Sequence, residues 1–336
     1  MKRWFACLTM LIVLLGATVP AWADGPEMPG AFPVPFDLPI CFSNFNMISV
    51  PQMKRTHQEY TTGDMIADSY VYEAKKAGIE DIDVAIVALG SIRRSVKWGP
   101  LTVADAIEIC YADDTEEGRE GYPLVCVYLT GSELKYLTEL DASLGPKYPE
   151  LKLSYSGLNM RFNTKRIPLD RVTSVGLSRS NGMIELLENG MLYKMCCNLY
   201  AVQQLDRLNA LTKGFMTITP RDANGDPLDS FEDCILRAED GTEIKEWMAL
   251  ADYWMSFRIG SSGLPEIPPL YSEPQSRKVK YEEGGISRID NPGRVTLAAI
   301  GVAVLALILL IAVVDLIRSS VARRAYRKAA ARKEKA

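Results

Sequence analysis

Residues 124–140 read LVCVYLTGSELKYLTEL, and the two halves follow different periods. Leu124 to Leu129 show no polar alternation, so they read as a strand buried on both faces. Thr130 follows at a cap position, and Glu133 stands three residues on, the arrangement of a capping box. Leu134, Leu137 and Leu140 then fall on one stripe of a helix. A doubly buried strand passing directly into a capped helix points to layered α/β architecture.

The pattern continues outward in both directions. Thr62 caps a helix that runs to about Ala77, where Gly78 stops it. Residues 83–88, DVAIVA, form a short apolar strand, and Thr102 caps the helix VADAIEIC. Downstream, strands are predicted over 151–163, 172–177 and 193–200. Residues 243–257, EIKEWMALADYWMSF, form an amphipathic helix. Residues 41–257 therefore read as one α/β domain with a mixed sheet and no internal repeat.

The ends carry different information. Met1, Lys2 and Arg3 precede a short apolar run that finishes in Ala21-Trp22-Ala23, which predicts a secretory signal peptide (1–23) cleaved after Ala23. Residues 24–40 form a Pro-rich lead-in. Residues 258–294, rich in Pro, Gly, Ser and charge, read as a flexible stalk. Residues 295–314, VTLAAIGVAVLALILLIAVV, carry no charge over one bilayer thickness and predict a single transmembrane helix. The tail, 315–336, holds Arg318, Arg323, Arg324, Arg327, Lys328, Arg332, Lys333 and Lys335, which places it in the cytoplasm by the positive-inside bias. The expected location is thus the cytoplasmic membrane, single-pass, with the domain periplasmic or extracellular. Setting aside the charged residues of signal and tail leaves 28 basic against 40 acidic residues, a balance that excludes nucleic acid as a partner.

Six cysteines follow the signal: Cys41, Cys110, Cys126, Cys196, Cys197 and Cys234. An exported domain permits disulfides, but buried thiols and bonded ones are equally compatible with these spacings. If Cys196 and Cys197 lie in a strand, they point to opposite faces.

In order, these segments resemble the C-terminal domain of the 5′-nucleotidase family. The helix GDMIADSYVYEAKKAG opens the resemblance. Ala88-Leu89-Gly90-Ser91-Ile92-Arg93 stands where the family has N-G-G-G-I-R, and Gly99-Pro100-Leu101-Thr102 matches G-x-[LI]-T. Leu129 to Lys135 gives L-T-G-x-x-L-K, and Ser156-Gly157-Leu158 gives S-G-L. Tyr193 to Tyr200 matches Y-x-V-x-x-N-x-[YF], and Asp240-Gly241-Thr242-Glu243-Ile244-Lys245-Glu246-Trp247 closes the series. The likeness spans about residues 55–257.

The resemblance implies a recognition module that holds a nucleoside, while a separate metallophosphatase domain hydrolyses phosphate with two metals. Such a site needs several His, Asp and Asn ligands, and this sequence has one histidine, His57, in MKRTHQEY. His57 reads most simply as a surface residue. The residues before position 55 are too few for a metallophosphatase domain, and no D-x-H, G-N-H-[ED] or G-x-S-x-G motif occurs. No catalytic residue, metal or cofactor is therefore expected.

Carried over position by position, the resemblance implies substrate contacts at Gly90, Arg93, Tyr111, Gly214 and Phe215. Arg93 could grip a phosphate or ribose, or could serve a structural salt bridge. Ala88 replaces the family's loop asparagine, Gln58 stands where a further arginine is usual, and Tyr111-Ala112 replaces a P-F pair. Leu211-Thr212-Lys213-Gly214-Phe215 keeps only the last two residues of G-G-D-G-[FY]. An aromatic stacking face contributes ~1–3 kcal/mol, so nucleoside binding should be weak. Asp222, Asn224 and Asp226 lack EF-hand spacing and read as a polar turn. The expected role is a non-catalytic binding or interaction module, with a nucleoside or nucleotide, the membrane and a protein partner as candidate ligands. Two alternatives remain: a subunit of a nucleotide hydrolase whose metallophosphatase part is a separate chain, or a membrane assembly protein packing through Ala299 and Ala303.

Overall fold

The computed structural model describes residues 34–110, 121–179, 182–212 and 217–333. The expected signal peptide and residues 24–33 of the expected lead-in lie outside the described residues. In chain order the first elements are β1 (Pro39–Ser43), α1 (Val50–Arg55), α2 (Thr61–Lys76), β2 (Val84–Ala88), β3 (Gly99–Thr102) and α3 (Val103–Cys110). β4 (Leu124–Thr130), α4 (Gly131–Leu144), β5 (Leu153–Ser156), β6 (Leu158–Asn163), β7 (Val172–Ser178), β8 (Ile184–Leu186) and β9 (Leu192–Asn198) follow. The chain continues through α5 (Leu199–Thr212), α6 (Glu246–Met255), β10 (Lys278–Tyr281) and α7 (Arg294–Lys333).

The central sheet has the order β4-β9-β2-β5, with β2 and β9 parallel and both outer pairings antiparallel. Its faces are both covered. Ala85, Val87, Leu124 and Cys196 join a core built with α2, α3 and α6. Val84, Ile86, Val125, Val127, Met195 and Cys197 join a second core with α4 and the strands of a second sheet. The period-two alternation of a strand thus sends Cys196 and Cys197 into different cores. The second sheet has the order β10-β6-β7-β8, and β1 pairs with β3.

The capped helix forms as its residues dictate. Thr130 N–H donates to Glu133 Oε2 at 2.8 Å, and Glu133 N–H donates back to Thr130 Oγ1 at 3.3 Å. Between them Gly131 is required, since a Cβ there would lie 2.2 Å from the Glu188 carbonyl oxygen. Glu133 also receives Arg221 Nη1 at 2.6 Å and Thr219 N–H at 3.0 Å, so one carboxylate caps α4 and fastens a distant segment. Gly157 has a similar necessity: its φ is +75° and a Cβ would meet the Asp83 carbonyl at 2.2 Å. The turn it makes divides the predicted 151–163 strand into β5 and β6, which belong to different sheets.

Three expectations are corrected. The strand predicted to reach Tyr200 ends at Asn198, whose Oδ1 accepts the Ala201 N–H at 2.7 Å and starts α5. The lead-in packs from Val34 onward: the Phe36 ring sits 5.9 Å from that of Trp247. Most consequentially, the first compact unit continues to Glu283, not 257. Ile267 and Tyr271 are each 1 % exposed, and β10 runs parallel to β6. Ile267 and Tyr271 anchor this segment in the first core, and backbone pairing and ion pairs hold the polar residues around them, which is why its composition reads as a stalk.

Gly284–Ala336 forms a second unit. Within it Arg294–Arg323 is a helix long and apolar enough to cross a membrane, with none of its apolar window buried.

Candidate functional site

β2 ends at Ala88, and the chain turns through loop 89–93. Leu89 N–H donates to the Lys152 carbonyl at 2.7 Å, and the Leu89 and Ile92 side chains are buried. Those two anchors fix the loop from below. Gly90 lies over Glu150, where a Cβ would come within 3.3 Å of backbone and side chain. Arg93 N–H donates to the Ile109 carbonyl at 2.8 Å, and its guanidinium Nη1 donates to the Gly90 carbonyl at 2.5 Å. The exposed Arg93 side chain therefore folds back over its own loop. The turn brings Gly90 and Arg93 together through this local hydrogen bond. Tyr111 follows directly on α3, one residue after Cys110, but Tyr111, Gly214 and Phe215 lie outside the described residues.

Behind the loop lies a buried polar network. Glu246, 2 % exposed, accepts Tyr70 Oη–H at 2.5 Å and Asn198 Nδ2–H at 2.8 Å. Burial pushes the Glu246 carboxyl up to about 7, opposed by these two hydrogen bonds and by the Arg93 charge. Asn198 thus caps α5 with its oxygen and holds Glu246 with its nitrogen. Sequence reasoning missed this network. Tyr70 and Glu246 stand 176 residues apart, and a glutamate on an amphipathic helix reads as solvated.

His57 is a correction. Its side chain is 8 % exposed, with Nε2 3.0 Å from Asp141 Oδ1 and its ring 5.0 Å from that of Phe162. It belongs to a buried cluster, not the surface. Lys152 closes the same region: its buried ammonium donates to the carbonyls of Met53 and Lys54 at 2.9 Å and to that of Thr56, the last turn and C-cap of α1. Asp222 spends its carboxylate on its own turn, accepting the N–H groups of Asn224 and Asp226 at 2.9 Å. Among the described residues, no group of three His, Cys, Asp or Glu is placed to hold a metal ion.

Two surface recesses lie elsewhere. One, of about 590 Å³, is lined by Asp81, Asp83, Arg179 and Lys194. The other, of about 310 Å³, is lined by Asp68, Ser156, Asn159 and Arg277. The residues preceding β2 and the end of the antiparallel β5 place both at the opposite end of the sheet from loop 89–93.

Residues 43–213 match the family described as 5′-nucleotidase, C-terminal domain. An apyrase of Anopheles gambiae is 25 % identical over 172 residues, covering 51 % of this chain and 27 % of that protein. The crystal structure of a 5′-nucleotidase precursor from Thermus thermophilus superposes with a TM-score of 0.54 at 19 % identity, covering 74 % of this chain and 40 % of that one. The NAD nucleotidase of Haemophilus influenzae gives a TM-score of 0.44 at 13 % identity, covering 74 % and 39 %. This chain therefore spans less than half the length of each.

Proposed function

The chain belongs to the 5′-nucleotidase C-terminal domain family, and from that membership we propose that it is a membrane-tethered binding or interaction module with no hydrolytic activity of its own. The observation that carries this reading is the fate of His57. It is the sole histidine of the 336 residues, and its Nε2 is committed to the buried Asp141. A dinuclear phosphatase centre draws on several imidazole and carboxylate ligands converging on two metals, and this sequence cannot supply them. Loop 89–93 keeps the glycine and the arginine of the family's substrate loop, so a phosphate or ribose contact at Arg93 fits the geometry. Ala88 offers no hydrogen bond to a ligand there.

The helix of the second unit supports anchoring, and the basic residues after it favour a cytoplasmic tail. A second reading is a recognition subunit of a nucleotide hydrolase whose hydrolytic part is a separate chain.

Purified full-length protein in detergent, given AMP with magnesium, manganese or zinc, should release no phosphate above buffer. Metal-dependent release that follows the protein through size exclusion would overturn the non-catalytic reading. Release that appears only when a co-purifying chain is retained would favour the subunit reading.

A further inference from the structure

Cys126 and Cys196 stand directly opposite one another in the antiparallel β4–β9 ladder. Hydrogen bonding on the far side of β4 identifies the type of pair. Leu124 N–H donates to the Ile244 carbonyl and the Leu124 carbonyl accepts from Leu236, each at 2.8 Å. Tyr128 exchanges both its backbone bonds with Arg221 at 2.9 Å. Residues 124 and 128 thus turn their backbone groups away from β9, and by the period of two so does Cys126. Cys126 and Cys196 are therefore a non-hydrogen-bonded pair, the kind whose Cα atoms approach to about 4.5 Å with side chains closest. A disulfide requires a Cα separation of about 4.4–6.8 Å.

The side chains share a face. Cys196 is fully buried in the core formed with α2 and α6, and the half-buried Cys126 packs against that same core. Cys197 points into the other core. Both members of the pair are free thiols in this structure. We propose that Cys126 and Cys196 are a redox pair that closes into a cross-strand disulfide when the folded protein meets a small disulfide oxidant.

The chemistry divides between them. A hydrogen bond from the Cys196 thiol holds Cys126 below the ordinary cysteine value against the effect of burial, and the Lys194 ammonium adds to the lowering. The same contact, with burial, pushes Cys196 well up. Cys126, the more accessible and more acidic, is the attacking thiolate. It displaces one thiolate from the oxidant and forms a mixed disulfide. The Cys196 sulfur then attacks the Cys126 sulfur, loses its proton and expels the second thiol. Two protein thiols become one disulfide, and the oxidant's disulfide takes the two electrons and becomes two thiols.

The test uses full-length protein in detergent, incubated with oxidised glutathione, denatured, alkylated and mapped by mass spectrometry. The expected result is loss of two alkylatable thiols together, a peptide joining Cys126 to the 192–198 segment, and fragmentation that assigns the bond to Cys196. Reduction with dithiothreitol should restore both. In C126A, a change at the half-buried member, Cys196 should stay alkylatable and no linked peptide should form. The proposal fails if both thiols remain alkylatable in the wild type after oxidation, if glutathione stays on Cys126 as a stable mixed disulfide, or if Cys126 is found joined to Cys234 or Cys197.

Discussion

Lys278 Nζ lies 2.7 Å from Asp141 Oδ2, with both side chains at most 1 % exposed. His57 Nε2 holds the other carboxylate oxygen at 3.0 Å, and Tyr155 Oη–H donates to Oδ2 at 3.0 Å. Burial opposes the ionised carboxylate, but the Lys278 charge and the His57 hydrogen bond outweigh it and hold Asp141 below the usual range. Asp141 lies on α4 and Lys278 on β10, so this contact ties the segment after α6 to the centre of the domain. Glu59 reinforces it by accepting the backbone N–H groups of Lys278 at 3.0 Å and of Gln275.

Asp141→Ala should therefore destabilise the domain by about 3–5 kcal/mol, because it strands a buried ammonium. Replacing both charges, Asp141→Leu with Lys278→Met, should recover part of that loss. Urea denaturation followed by tryptophan fluorescence measures both. A single variant within ~1 kcal/mol of wild type would show that the pair carries little.

Truncation distinguishes a stalk from a structural segment. A chain ending after Glu283 should unfold cooperatively, whereas one ending after Phe257 should be protease-sensitive and lack near-UV ellipticity. The shorter chain loses Tyr271, which donates to Asp68 at 2.7 Å, and Arg277, which grips the same carboxylate at 2.7 and 2.8 Å. Equal protease resistance would restore the stalk reading.

Stability should fall as pH rises from 5 to 8. Burial pushes both Glu246 and Glu73 from 4.5 up to about 7. Between those values the folded state binds more protons than the unfolded chain, so rising pH favours unfolding. For Glu246 the full change is about 3 kcal/mol. Glu246→Gln should flatten part of the slope, read from denaturation midpoints across that range. An unchanged slope would place the titration elsewhere.

Adenosine and AMP should bind no tighter than about millimolar, roughly −4 kcal/mol, with Arg93→Ala weakening AMP more than adenosine. Calorimetry on the wild type, Arg93→Ala and Phe215→Ala decides this. Micromolar affinity lost in Phe215→Ala would reveal an intact pocket.

Orientation is open to a reporter. A fusion after Lys335 that is active only in the cytoplasm should work, and the same reporter fused after Gly284 should be silent. The reverse pattern would invert the proposed topology.

The sequence determined what depends on neighbours in the chain. Thr130 and Glu133 form their box within one helical turn, and the 20 uncharged residues 295–314 make that stretch of α7 apolar whatever surrounds it. Loop 89–93 was legible for the same reason: Gly90 and Arg93 lie within four residues of each other and meet through a local hydrogen bond. Only the tertiary structure decided which charged residues enter the core. His57, Asp141 and Lys278 look solvated in their own segments, because a lone ionisable side chain is stable only in water. Their partners come from α4, β10 and the stretch after α1, and it is that convergence in space, invisible to any local period, that makes their burial tolerable.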